Sequence, residues 1–520
     1  MDPETAHRRR WATLGVLCIS LLAIGLDHTI LNVAMPSLAR SLDATSGQLQ
    51  WMVDSYVLVF AGLLLTAGNI GDRFGRRRAL FLGLAVFGLA SLWAAFTGSA
   101  DQLIVARAAM GVGAAFIMPS TLSVLTNSFR EPAERAKAIG IWAALSGVGV
   151  VFGPTLGGWL LQHFWWGSVF LVNVPVAAAG IVVGYWLVPE SRDPASPRID
   201  LVGAVLSIAG LMTLVWSIIE APDRGWLSGP VLAGFAAAAV LLGSFVAWEL
   251  RTPEPMLNVR YFRNANFTAA SLSVTLVFFA MFGTMFFLTQ YLQFVLGFTA
   301  LEAGQRMLPI GMVVFGAPIG IKLAQRLGNK LVVAGGLLVI AVAMGVLSGT
   351  TVGSGYGRVA LVLALIGLGM GVAMAPATDT IMSALPNAKA GVGSAVNDAT
   401  RQVGGALGVA ILGSVLASAY GGRLDDLLAG QAVPEPAREG IAGALTVAAG
   451  MPGNAGTAFA EAARAAFIHG MDRTVLVAAG FATAGALLAL IWLPVRNRAA
   501  AEPVAARPAP DTGRELDLVP

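Results

Sequence analysis

The sequence predicts an all-α polytopic membrane protein, and three observations predict it. Its 520 residues are 56% hydrophobic and 12% charged, with a mean hydropathy of +0.75, whereas soluble domains carry about a quarter charged residues. Apolar stretches of the roughly 20 residues needed to cross a bilayer core recur from Trp11 to Pro494, separated by short polar connections. The 62 glycines would weaken soluble helices. In lipid the backbone has no alternative to helical hydrogen bonds, and small residues let helices approach closely.

The stretches fall at approximately 11–35, 51–71, 79–98, 102–124, 137–161, 169–189, 200–219, 229–249, 267–293, 303–324, 331–350, 357–380, 394–418 and 473–494, which makes about fourteen transmembrane helices. Arginine and lysine orient them, because positive loops are retained in the cytoplasm. Alternate connections hold groups such as Arg73, Arg76, Arg77 and Arg78, or Lys322, Arg326 and Lys330, while the opposite loops hold Arg40, Arg224 and Arg358. The ratio of roughly 21 to 3 predicts that both termini are cytoplasmic. The basic start runs into LDHTILNVAMP with no small-residue cleavage site, so the first stretch reads as a retained helix.

The same distribution explains the net charge of +4 and the pI near 9.4; no continuous basic face for nucleic acid forms. A single cysteine, Cys18, excludes an internal disulfide, and four scattered histidines offer no metal-ligand spacing. No metal is expected, nor any cofactor beyond the proton gradient as energy source. The outward connection from Tyr420 to Asp472 is far longer than usual and reads as a solvated excursion rather than a gating cap. The Ala/Pro-rich tail reads as disordered.

An internal repeat is visible. DRFGRRR from Asp72 is echoed by QRLGNK from Gln325, and Pro119-Ser-Thr by Pro376-Ala-Thr. Helices one to six and nine to fourteen are then related halves, with helices seven and eight inserted, as in secondary transporters whose substrate site lies between repeats. The expected organisation is an N-tail to residue 10, an N-terminal six-helix bundle over 11–190, two inserted linker helices over 191–263, a C-terminal six-helix bundle over 264–496 that includes the 420–472 loop, and a cytoplasmic C-tail over 497–520.

GNIGDRFGRRR, from Gly68 to Arg78, resembles the signature loop of the major facilitator superfamily, G-x-L-A-D-R-x-G-R-K, departing at Ile70, Gly71 and Arg77. Gly68 and Gly75 permit a tight interhelical turn, and Asp72, Arg73 and Arg76 suit a charged cytoplasmic latch. LDHTILNVAMP from Leu26, LIVARAAMGVGAA from Leu103 and GVGVVFGPTLGG from Gly147 resemble motifs of that superfamily's drug:proton antiporters with fourteen helices. The resemblance spans nearly the whole chain. It implies a major facilitator fold of two six-helix bundles plus two inserted central helices in the bacterial cytoplasmic (inner) membrane. The implied function is export of lipophilic drug-like compounds in exchange for protons. Expected partners are small-molecule substrates, cationic or neutral, together with protons and membrane lipid, with no nucleic acid; a monomer is the expected state.

A carboxylate at the centre of a membrane helix costs about 2.5–3.5 kcal/mol on insertion scales, so Asp27 is expected to face a polar cavity or partner. It is the first choice for proton coupling. Arg107 is its electrostatic partner or part of a structural ion pair, and Asp54 is the second carboxylate or an interfacial, solvated one. At 1.5 Å per residue the three lie about 12, 8 and 6 Å from the outer surface, so they can share one pocket. Trp51, one turn before Asp54, is an interfacial anchor or an aromatic partner for a cationic substrate. Asn32 lies in the first-helix motif and is included with the substrate contacts.

Phe279, Phe282, Phe286, Gln290 and Gln293 recur at steps of three or four and so share one face of helix nine, either a substrate wall or a lipid face. In helix five Gly149, Gly153 and Gly157, followed by Gly158, form a packing stripe, and Pro154 can bend it; by resemblance this motif belongs to export. Asp398 and Arg401, near the start of helix thirteen, are accounted for by solvation or helix-end electrostatics. An importer or metabolite exporter on the same fold remains the rival reading. An enzyme is not expected, since no cluster of nucleophile, base and metal ligands is visible, and a receptor would need a sizeable extramembrane domain.

Overall fold

The computed structural model describes residues 9–129, 131–192, 200–351, 353–384, 390–429 and 433–493; the expectations placed on residues 1–8 and on the C-tail lie outside them. The described chain is helical, with no strand among the described residues. Its N-terminal half comprises α1 (Arg10–Ser41), α2 (Ser46–Phe74), α3 (Arg76–Ala95), α4 (Ala100–Ser128), α5 (Pro132–His163) and α6 (Ser168–Leu187). Then come α7 (Leu201–Arg224) and α8 (Gly229–Arg251). The C-terminal half comprises α9 (Ala265–Val295), α10 (Ala300–Leu327), α11 (Asn329–Leu347), α12 (Tyr356–Ser383), α13 (Ala390–Leu427) and α14 (Asn454–Trp492). Thirteen of these have the length and apolarity to cross a membrane, and α5 takes the remaining place.

The halves repeat each other in packing. In the first, α1 packs on α5 and α6, α2 on α4, and α3 on α4 and α6; in the second, α9 packs on α13 and α14, α10 on α12, and α11 on α12 and α14. The breaks repeat as well. Gly75 and Gly328 sit between α2 and α3 and between α10 and α11 with φ of +125° and +84°, a backbone region that disfavours any side chain. The starts of α2 and α10 are cut by matching capping boxes, Thr45 with Gln48 and Thr299 with Glu302. Each box satisfies two end N–H groups reciprocally.

Glycines fix how closely the helices meet. A Cβ on Gly149, Gly153 or Gly157 would fall within about 3 Å of α1 atoms, between Gly25 and Ile30. Gly404 and Gly408 of α13 meet the backbone of α9 at Thr275 and Phe279 in the same way. One further glycine on each helix points to the opposite half. A Cβ on Gly158 would lie 2.5 Å from Ala300 O and Leu301 Cα at the start of α10, and one on Gly413 would lie 2.7 Å from Gln50 Cδ near the start of α2. The halves therefore meet in two equivalent seams, α5 with α10 and α2 with α13. Both seams lie towards the face that carries the connection between α13 and α14. On the opposite, arginine-rich face Arg10 makes two 2.9 Å bonds to Glu134, tying α1 to α5 within one half.

The inserted helices are unequal. α7 packs on both α2 and α13, whereas α8 packs chiefly on α7 and leaves most of its surface outward, as suits lipid. The connection expected over 420–472 as a solvated excursion is mostly helical. α13 continues to Leu427 and α14 begins at Asn454, the latter in alanine-rich sequence. Between them Glu435–Glu439 and Ile441–Gly450 are short helices packed on the loop face, where Tyr420 donates to Ala437 O at 2.9 Å and Ser46 donates to Glu439 O.

Gly158→Leu fills the α5–α10 seam without touching the α1–α5 contact. On a Cys18→Ala background, a cysteine replacing the buried Val33 should become reactive from the loop face in Gly158→Leu and stay protected in its parent. Gly149→Leu, which strikes α1, should instead lower the yield of folded protein.

Candidate functional site

Asp27 on α1 and Arg107 on α4 are both buried, at 0% and 1% exposure. Arg107 Nη1 donates to Asp27 Oδ2 at 2.5 Å, and its Nε donates to Met52 O on α2 at 2.9 Å. Its guanidinium lies 4.3 Å from the centre of the Tyr56 ring. Asn173 of α6 donates to the other carboxylate oxygen at 3.2 Å and lies 3.5 Å from Ser91 Oγ of α3. One ion pair thus holds helices from across the N-terminal half. A buried pair of this kind tolerates the loss of water only because the remaining lone pairs and protons are also satisfied.

Asp54 on α2 is also fully buried, but neither carboxylate oxygen has a hydrogen-bond partner. The sequence expectation grouped three charges in one pocket; the structure joins two and leaves Asp54 apart. The depths also change. α1 runs on through Pro36 to Ser41 and α2 begins at Ser46, so Asp27 lies about 21 Å and Asp54 about 12 Å from those helix ends at 1.5 Å per residue. Asp54 follows Gln50 by one turn and so shares its face. Gln50 is itself in the α2–α13 seam, where Ser414 Oγ lies 3.5 Å from its Oε1.

Behind the seams lies a cavity of about 380 Å³ formed by α1, α2, α4 and α5 with their counterparts α9, α10, α12 and α13. Its walls are chiefly apolar and aromatic, including His28, Phe60, Trp142, Phe278 and Phe282; Asn397, Asp398, Arg401 and Gln402 of α13 add the polar groups. Such a size and lining suit a small lipophilic molecule. Sequence reasoning passed over Asp398 and Arg401 as helix-end charges. The available signal was an acid and a base three residues apart inside the apolar stretch 394–418.

The expected substrate wall of α9 is dispersed. Phe282 lines the cavity, but the Phe279 ring rests 4.6 Å from that of Phe481 on α14. Phe286 and Gln290 border a small pocket beneath the loop-face helices. Gln293 sits in a π-helical turn, Tyr291–Val295, and donates to Val33 O on α1 at 3.0 Å. A helix with neighbours on several sides does not turn one sequence stripe into one cavity wall. Asn32 bonds within its own helix, to His28 O at 3.4 Å, and Trp51 packs half-buried on the core; neither lines the cavity.

On the arginine-rich face Arg76 donates to Asp72 at 2.6 Å, and the Arg76 N–H donates to Ser191 O at 2.9 Å. Arg77 and Arg78 face Glu190, after α6, at 3.9 and 3.7 Å. A Cβ on Gly75 would meet Glu190 Oε1 at 2.8 Å, and Gly68 packs on Pro119 of α4. Arg73 lies over its neighbour Phe74 instead. Glu190 is a partner the motif did not announce. In α5, Gly149, Gly153 and Gly157 pack on α1, Gly158 faces the other half, and Pro154 O lies against Gly304 of α10.

A family model described as Major Facilitator Superfamily matches residues 17–409. The chain is 38% identical to the multidrug efflux pump LfrA of Mycolicibacterium smegmatis, over 92% of this chain and 95% of that protein. It is 34% identical to the tetracenomycin C resistance and export protein of Streptomyces glaucescens, over 93% and 91%. With the methyl viologen resistance protein SmvA of Salmonella typhimurium it shares 36% identity, over 88% and 93%. Among solved structures, a bacterial homologue of the human lysosomal transporter Spinster, inward-facing and occupied, superposes with a TM-score of 0.64 at 19% identity, covering 94% of this chain and 97% of that one.

Arg107→Gln leaves a buried Asp27 charge with Asn173 alone and should cost about 3–5 kcal/mol of stability. Unfolding measured in detergent should show the double variant Asp27→Asn/Arg107→Gln losing clearly less than the sum of the single losses. Additive losses would mean that the pair is not coupled.

Proposed function

The chain belongs to the major facilitator superfamily, and from that premise we propose that it exports lipophilic drug-like molecules in exchange for protons, by alternating access. The drug and antibiotic exporters among its relatives and the mainly apolar central cavity support this reading over an importer or a single-metabolite carrier. It acts as a carrier rather than an enzyme, in the bacterial inner membrane, with its arginine-rich face and both termini in the cytoplasm. In the arrangement described, the loop face is sealed and the cavity lies behind it.

One observation carries the proton coupling: Asp54 is buried next to a seam with both oxygens unpartnered. An ionised carboxylate without partners is far more costly to bury than a protonated one. When the α2–α13 seam parts, water reaches the helix face that Gln50 and Asp54 share. When it closes over an ionised Asp54, that charge loses its water and gains nothing in return. A proton taken up from outside removes the penalty and permits closure, so protonation at Asp54 and the sealed state favour each other, as linkage requires.

Asp27 serves a different part of the same half. Its charge is compensated by Arg107 and Asn173, so the pair holds α1, α2, α4 and α6 in register. The Asp72–Arg76 and Arg77–Glu190 contacts hold the arginine-rich ends of α2, α3 and α6 together as one rigid piece.

Asp54→Asn should close its seam without a proton. Inverted vesicles carrying this variant should bind substrate with wild-type affinity but fail to accumulate it when a pH gradient is imposed. Gradient-driven uptake at the wild-type rate would rule Asp54 out as the coupling group.

A further inference from the structure

Asp398 and Arg401 are the acid–base pair of the cavity, and they are loosely joined. Arg401 Nη1 stands 3.8 Å from Asp398 Oδ1, beyond hydrogen-bond reach, and Arg401 Nε is buried with no acceptor. The guanidinium lies 5.6 Å from the centre of the Phe278 ring. Phe278 in turn stacks with Phe282 at 6.0 Å and 27°, and His28 adds a third ring 5.8 Å from Phe282. A wall of aromatic rings therefore runs up to a cation whose donor set is incomplete.

We infer that Arg401 is a recognition point for planar aromatic acids, fused-ring phenols or carboxylates, so that the cavity accepts anionic aromatics as well as cationic ones. The inference rests on the cavity being the export site. A ring system lying along Phe278 and Phe282 brings an edge oxyanion to the guanidinium, whose planar fork matches a carboxylate or phenolate and supplies the acceptor that Nε lacks. An aromatic cation in the same cavity is drawn to Asp398 instead. Because the two side chains touch only loosely, either one can turn to its ligand without breaking a strong bond, and each charge shields the other when the cavity holds a neutral ring. A cavity with the carboxylate alone would repel acids. The added arginine widens the range of charge that it accepts without changing its shape.

Three probes of one size separate the roles: alizarin as the acid, at a pH where its phenol is ionised, proflavine as the cation and anthraquinone as the neutral ring. Binding to the purified full-length protein is read from quenching of Trp142, which lines the cavity, with Trp142→Phe as the control. Arg401→Gln should weaken alizarin about tenfold or more, the scale of one hydrogen bond to a charged group, while sparing anthraquinone and proflavine. Arg401→Lys should restore part of the loss, and Asp398→Asn should weaken proflavine alone. Unchanged alizarin affinity in Arg401→Gln overturns the inference, and so does an equal loss of all three probes, which would report a distorted cavity. If none of the probes binds the wild-type protein, the reading of the cavity as the export site falls first, and the inference with it.

Discussion

Two stretches of bare backbone govern the architecture. In each of the two seams the closest approach between the halves is made at a glycine: Gly158 against the first turn of α10, and Gly413 against α2 beside Gln50. At Gly158 a Cβ would strike the backbone of Ala300 and Leu301, and at Gly413 it would displace the Gln50 side chain, so a closed seam holds each helix near its partner. The capping boxes at Thr45 and Thr299 fix where α2 and α10 begin, and so fix what those glycines meet. A site between two halves that rock against each other needs a two-state contact, because packed surfaces switch between arrangements rather than deform gradually.

The buried charges follow from the same geometry. Asp27 and Arg107 satisfy each other inside one half, which keeps their bonds intact whichever way the halves move. Asp54 is paired with nothing and lies one turn behind a seam. A group placed there responds to the opening of that seam, whereas a group locked in an ion pair within a rigid bundle does so weakly. The sequence ranked Asp27 above Asp54 because Asp27 stands alone in apolar sequence within the first-helix motif, whereas Asp54 read as lying near the outer surface. Only the tertiary contacts distinguish the compensated one from the uncompensated one.

The fold was largely legible because hydropathy, positive loops and the Asp72 and Gln325 repeats are written locally. Its finer symmetry was legible too, but was missed: Gly404, Gly408 and Gly413 repeat the spacing of Gly149, Gly153 and Gly158, and only their shared packing draws attention to it. The site was legible in part. The Asp27–Arg107 pair and the Asp72–Arg76 contact follow motifs, while Glu190, Asp398 and Arg401 depend on distant segments meeting. Helix nine misled because periodicity reports a shared face but not what that face touches. Phe279 turned out to meet α14, and Gln293 was displaced by a π-helical turn.

The account stands on the seams having to part in every transport cycle, and a reversible bond across one of them tests this directly. In Cys18→Ala/Gln50→Cys/Gly413→Cys the new side chains face each other, since a Cβ on Gly413 lies 3.1 Å from Gln50 Cγ. Substrate transport is measured in proteoliposomes before oxidation, after oxidation and after reduction, alongside the fraction of protein cross-linked. The account predicts that transport is lost in proportion to the bond formed and returns on reduction. Undiminished transport by fully cross-linked protein would contradict it.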